Sequence, residues 1–161
     1  MRLILLSSAV LTLAACGEPA PPSEPDPAPQ PAPVLGGVDL GQPVRALGTE
    51  PFWGVDIGPD GIAYEGVDRP REVAPRGEVE LMGTMAVFTG QTDKGRAITV
   101  TLIDTDCSDG MSDRLYPLTA RVEIGEETLQ GCAAARDAIM TAPESGPVAA
   151  VEPEAAAATR P

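Results

Sequence analysis

A two-residue rhythm constrains this chain more than any other feature. Leu118, Ala120, Val122 and Ile124 alternate with Thr119, Arg121 and Glu123. Ile98, Val100 and Leu102 alternate with Thr99 and Thr101. Successive side chains of an extended chain point to opposite faces, so these segments are strands with one apolar and one wet face. Phe52–Ile57 repeats the pattern, with Trp53, Val55 and Ile57 together. Val79 and Leu81 alternate with Glu78 and Glu80, and Met85–Thr89 follows a break at Gly83.

Turn residues punctuate these runs. Gly58-Pro59-Asp60-Gly61 sends the chain back into Ile62–Glu65. Asp93-Lys94-Gly95 and Gly125-Glu126-Glu127 turn it again, the last into Thr128–Cys132. Short alternating runs between Gly, Pro and Asp predict antiparallel pairing. The expected fold is all-β: a small antiparallel meander barrel or sandwich of six to eight short strands. A short C-terminal helix is expected over Ala133–Met140. The core should be mostly aliphatic, because Phe52, Trp53, Tyr64, Phe88 and Tyr116 are the only aromatic residues.

Proline marks the ends of the folding segment. Eight of the eighteen prolines lie between Pro19 and Pro33, among alanines and acidic residues. Such a stretch has too little apolar surface to bury and favours extended polyproline II. A second Pro- and Ala-rich stretch contains Pro143, Pro147, Pro153 and Ala155–Ala158. The expected division is a signal peptide over 1–15, a tether over 16–42, a β domain over 43–141 and a disordered tail over 142–161. No apolar run after the signal is long enough to span a bilayer as a helix.

The first sixteen residues give the compartment. Arg2, an apolar run from Leu3 to Leu13 and the small residues Ala14-Ala15 form a secretory signal. Leu13-Ala14-Ala15-Cys16 resembles the lipobox of bacterial lipoproteins. That resemblance implies diacylation of Cys16 on sulfur, cleavage before it and a third acyl chain on the new N-terminus. Several acyl chains hold a protein firmly to a bilayer. An ordinary secretory signal, with Cys16 as a spare thiol, is the alternative. Gly17, in place of Asp after the lipid-bearing residue, resembles the outer-membrane sorting pattern. The implied location is the periplasmic face of the outer membrane.

With Cys16 lipidated, Cys107 and Cys132 are an even pair in an oxidising compartment, read as one disulfide. A catalytic thiol pair would lack a His base, and the spacing is far from CxxC. The net charge is −13. Residues 43–141 alone carry nine Lys/Arg against seventeen Asp/Glu. Such a surface repels nucleic acid and anionic lipid and permits a cationic partner.

Three motifs occur as a set: Gly48-Thr49-Glu50-Pro51-Phe52-Trp53; Cys107-Ser108-Asp109-Gly110-Met111-Ser112-Asp113-Arg114 with Tyr116-Pro117; and Leu129 with Gly131-Cys132-Ala133. Together they resemble a family of small, uncharacterised envelope lipoproteins of Gram-negative bacteria, over most of Pro43–Ala133. The resemblance implies location and architecture and brings no reaction. A weaker similarity, in size, compartment and a Cys-led loop before the last strands, is to META (HslJ-like) domains.

The candidate site residues are Glu50, Trp53, Asp109, Asp113, Arg114 and Tyr116. Asp104, Asp106, Asp109 and Asp113 with Ser108 and Ser112 are hard oxygen ligands of the kind that hold Ca²⁺. Their spacing departs from an EF-hand loop, with Asp109 where Gly is needed and Leu115 where the bidentate Glu belongs. The favoured reading is a tight loop whose Asp and Ser side chains cap backbone N–H groups. Arg114 is expected to pair with one of these carboxylates. Trp53 either lines a pocket or plugs one end of the barrel, and the core role is favoured. Glu50 is a lone carboxylate, the first to test as acid or base. Pro117 has no N–H for a ladder, so Tyr116-Pro117 marks an edge or bulge; Tyr116 either stacks on a ligand or packs beside the disulfide, and the packing role is favoured.

The chain has no His. That removes Ser-His-Asp and Cys-His catalysis and imidazole-built zinc sites. No Gly-rich loop opens a helix, and no cofactor motif is present. The expected function is a non-enzymatic lipoprotein that binds an envelope partner or supports the envelope, held to the membrane through Cys16. The alternatives are an inhibitor of a cationic hydrolase such as lysozyme, and a carrier of a small apolar ligand or Ca²⁺.

Overall fold

Cross-strand pairing converts the two-residue rhythm into a core. A computed structural model of the protein describes residues 32–148. The expected signal peptide, Cys16, most of the expected tether and the end of the expected tail lie outside the described residues. In chain order the strands are β1 (Val34–Leu35), β2 (Val38–Asp39), β3 (Val44–Thr49), β4 (Phe52–Gly58), β5 (Gly61–Gly66), β6 (Arg69–Ala74), β7 (Glu80–Met82), β8 (Met85–Gln91), β9 (Ala97–Ser108), β10 (Asp113–Ile124), β11 (Glu127–Ala135) and β12 (Ser145–Pro147); α1 (Arg136–Thr141) precedes β12.

The register sets Ile98 opposite Ile124, Val100 opposite Val122 and Leu102 opposite Ala120. All six are buried. Phe88 pairs Val100 from the other side. Apolar pairs stacked on one face in this way are what stabilise a sheet. The strands form one antiparallel order, β6-β5-β4-β3-β11-β10-β9-β8-β7, and β12 adds to β10 in parallel. Two antiparallel runs, β3 to β6 and β7 to β11, meet where β3 pairs with β11, and the sheet curls around one apolar cluster to which β3 to β6 and β8 to β11 contribute. Its ladder does not close into a complete barrel.

The two ends of the curled sheet are tied beside the β8–β9 turn. Asp93 N–H donates to Val73 O at 2.8 Å, and Asp93 Oδ1 accepts from Val73 N–H at 3.1 Å. Beside them Glu72, 3% exposed, accepts from Thr92 Oγ1 at 2.7 Å, from Arg96 Nε at 3.2 Å and from Arg96 Nη2. The guanidinium fork holds both carboxylate oxygens. Arg69 extends the network to Glu127 at 3.0 Å and to Tyr64 Oη at 3.0 Å.

A second, smaller cluster lies apart from the main core. Tyr116, Cys132, Ala134, Ala138, Ile139 and Val148 bury one another, with α1 and the residue after β12 as members.

Several boundaries differ from expectation. Leu35, Val38 and Leu40, at 5%, 0% and 1% exposure, belong to the main core, so the folded domain begins inside the expected tether. Gly36 and Gly37, both at positive φ, turn β1 back on β2. A Gly-Gly pair between apolar residues is a hairpin signal, and here it carried that meaning. The domain also runs past Thr141, because β12 and Val148 pack onto β10. The helix starts at Arg136 rather than Ala133, because Ala133, Ala134 and Ala135 pair with Ala46, Arg45 and Val44 on β3. Leu81 is exposed, since β7 is a three-residue edge piece that among the described residues pairs with β8 alone. No helix among the described residues is long and apolar enough to cross a membrane.

Candidate functional site

Trp53 fixes the position of the three sequence motifs. It sits on β4, 5% exposed, in the main core. Its register partner is Gly48 on β3. A Cβ at Gly48 would collide with the indole Nε1 and lie 2.8 Å from Gln130 O. A Cβ at Gly131 would collide with Leu47 O and lie 2.9 Å from Trp53 Cζ2. Both glycines are required for space, so a first-motif strand and a third-motif strand close over the indole. Thr49 Oγ1 donates to Asp109 O at 2.9 Å and joins the first motif to the second.

Asp109 organises the second motif. Its Oδ1 accepts from Met111 N–H at 2.9 Å and Ser112 N–H at 2.7 Å. Its Oδ2 accepts from Ser112 Oγ at 2.7 Å and Tyr116 Oη at 3.1 Å. Burial disfavours the charged carboxylate, but these four hydrogen bonds outweigh burial and hold Asp109 below the usual carboxylate range. Burial first, and the Asp109 charge second, push the Tyr116 hydroxyl up. The capping reading of this loop is therefore the observed one. The loop is shorter than expected: Asp104, Asp106 and Ser108 lie on β9, and Asp113 and Arg114 on β10. Among the described residues no three His, Cys, Asp or Glu side chains gather as a metal cage.

Cys107 and Cys132 form a disulfide with Cα atoms 5.4 Å apart. It links β9 to β11, which β10 separates in the ladder. The register slips between Tyr116 and Leu118, so Pro117 sits at the bulge its missing N–H demanded. Tyr116 is buried in the second cluster beside Cys132.

A cleft of about 470 Å³ opens beside Gly48 and Gly131, the two glycines that make room for Trp53. Thr49, Glu50, Ser108, Asp109, Met111 and Gln130 are among its walls, so all three motifs meet there. Of the candidates, Glu50 and Asp109 reach it. Trp53 and Tyr116 are not among its walls. Asp113 is exposed at the start of β10, opposite Ser145. Arg114 does not pair with the loop carboxylates: it donates to Pro143 O at 2.8 Å and Ala142 O at 3.2 Å, with Glu144 at 3.8 Å. The free carbonyls that follow the helix attract the guanidinium. Asp109 has its lone pairs committed to four donors, whereas Glu50 is exposed at the rim.

A second cleft of about 470 Å³ includes Asp56, Asp60, Arg71 and Arg136. Arg45 and Arg136 approach the Asp56 carboxylate at 2.8 and 3.6 Å. Sequence reasoning missed Arg71 and Arg136. Residues 69–74 carry no alternating signal, and Arg136 comes from the far end of the domain.

Comparison with protein-family models, curated proteins and solved structures found no match to the chain.

Proposed function

We propose that this is a lipid-anchored lipoprotein of the outer membrane, facing the periplasm, whose β domain binds an envelope protein partner without catalysing a reaction. One observation carries the reading: three motifs far apart in sequence converge on a single cleft, built by glycines that make room for one Trp. The Asp109 carboxylate is spent on holding the loop, and Glu50 at the rim is placed to meet a partner. The lipobox resemblance supports the anchor.

The test is photo-crosslinking in cells from a probe at exposed Gln130, with the Cys16→Ala chain as control. The expected result is one envelope protein, lost with Glu50→Lys and reduced when the anchor is removed. Capture that ignores both changes overturns the reading. A second reading follows from the cleft walls, which among the described residues contain Glu50 and Asp109 and no Lys or Arg. They suit a basic surface, such as that of a cationic hydrolase. Purified domain at micromolar concentration should then slow lysozyme, and unchanged lysis rejects this reading alone.

A further inference from the structure

The β1–β2 hairpin closes the curled sheet without joining it. The two strands pair with each other as a separate sheet. Leu40 N–H donates to Pro33 O and Gln42 N–H to Asp39 O, both within the segment. Among the described residues the hydrogen bond that ties residues 33–42 to the body is Arg76 Nη2 to Leu40 O, at 2.7 Å. Yet Leu35, Val38 and Leu40 are buried in the same cluster as Phe88, Leu102 and Leu118. Gly36 lies against Leu118 Cδ2 and Asp104 Oδ1, each 2.8 Å from where a Cβ would sit, and Pro117 O, at 3.2 Å. The hairpin thus reaches from β10 at one end to Arg76 and the β6–β8 side at the other.

Ladder hydrogen bonds make a strand inseparable from its sheet, and apolar burial is non-directional. A segment held by three apolar side chains and one hydrogen bond can leave as a unit if something of like shape replaces it. Arg76 gives that replacement a chemistry. Its guanidinium lies 5.3 Å from the Phe88 ring centroid, at the inner wall. Its partner is a neutral carbonyl, and among the described residues no carboxylate forms an ion pair with it. A carboxylate would bind this fork more strongly than the peptide oxygen does. Leu35, Val38 and Leu40 together carry about eleven aliphatic side-chain carbons, a volume that a close-packed interior requires to be refilled.

We propose that the β1–β2 hairpin is a displaceable plug, and that the space beneath it takes a linear alkyl carboxylate of about ten carbons, with the chain against Phe88 and the carboxylate on Arg76. An alkylammonium is repelled by the same guanidinium, and an uncharged alcohol gains only the burial.

The experiment is amide hydrogen exchange of the full-length protein with sodium decanoate below its micellar concentration. Saturating decanoate should speed exchange across residues 34–42 at least tenfold and leave β9 and β10 unchanged. Leu40→Ala, which weakens the plug, should lower the half-saturating concentration several-fold. Arg76→Met should raise it at least tenfold for decanoate and leave decanol unchanged, a difference that loss of stability would not produce. The proposal is overturned if decanoate leaves residues 34–42 unchanged, if all strands speed up together, or if Arg76→Met affects decanoate and decanol alike. Dimers that exchange hairpins overturn it too, since the plug would then be replaced by a second copy.

Discussion

Two regions of this domain tie strands that are not ladder neighbours, and they do so by opposite means. At one, Glu72 of β6 is held by Thr92 and Arg96 of the β8–β9 turn, across the ends of the curled sheet. At the other, Cys107 of β9 is bonded to Cys132 of β11 across β10, with Asp109 capping the adjoining turn. The first tie consists of charge and hydrogen bonds, so it responds to protons. The second is covalent, so it responds to reductant. A sheet that does not close its ladder needs a substitute at the gap. The fold uses a buried ion pair there and keeps the covalent link for the corner that carries the cleft.

The largest expected effect is loss of the covalent tie. Replacing Cys107 and Cys132 by Ser frees a loop with a sequence separation of 25. The chain-entropy model puts the loss at about 3.5 kcal/mol, readable as a shift in urea midpoint. Dithiothreitol should lower the wild-type midpoint similarly and leave the double variant unmoved.

Next comes the seam. Arg96→Met strands the Glu72 carboxylate in the interior and should cost about 3 kcal/mol, the low end for a broken buried pair because Arg96 is itself 32% exposed. The hydrogen bonds from Arg96 first, and from Thr92 in support, hold Glu72 below its ordinary value of 4.5 against the effect of burial. A lowered folded-state value means the stabilisation is complete above pH 4.5 and fades as pH falls through the folded value. Urea titrations from pH 7 to pH 3 should show this loss, and Glu72→Gln should flatten part of it. An unchanged slope would mean that the seam does not depend on the charge.

Asp109→Ala is expected to be milder, about 2 kcal/mol, because it leaves the buried Tyr116 hydroxyl and two turn N–H groups without their acceptor. Thermal melts measure the loss, and the tyrosine absorbance titration should move toward the ordinary range as the Asp109 charge disappears. Arg121 and Glu123 form a 2.9 Å pair on the wet face, with about half of each side chain exposed. Arg121→Ala should change stability by about 0.5 kcal/mol or less. The seam and corner share no residue, so Arg96→Met combined with the Cys pair should be additive within about 0.5 kcal/mol. A larger coupling would show that the two ties act as one device.

The long strands were legible because their chemistry is local. Ile98, Val100 and Leu102, and Leu118 through Ile124, declare their inner faces through alternation alone. The Asp109 turn was legible too, since Asp and Ser cap nearby N–H groups wherever the chain turns. β6 was not. Its inward position holds Glu72 while Val73 faces water, the reverse of what hydropathy suggests, and Pro70 weakens the strand signal further. Nothing within residues 69–74 announces Arg96, which makes that inversion tolerable. Arg114 was misplaced for the same reason: its acceptors belong to a segment about thirty residues later.

By itself the sequence determined the inner faces of the long strands and the turns that join them, since periodicity and turn chemistry need no knowledge of distant neighbours, and it pointed to Cys107 with Cys132 as the disulfide pair. Only the tertiary structure decided that β3 joins β11, that Glu72 meets Arg96, that Gly48 and Gly131 yield to Trp53, and that residues 34–42 cover the core. These are contacts between residues far apart in the chain, and their energies depend on which surfaces meet, a quantity no local pattern contains.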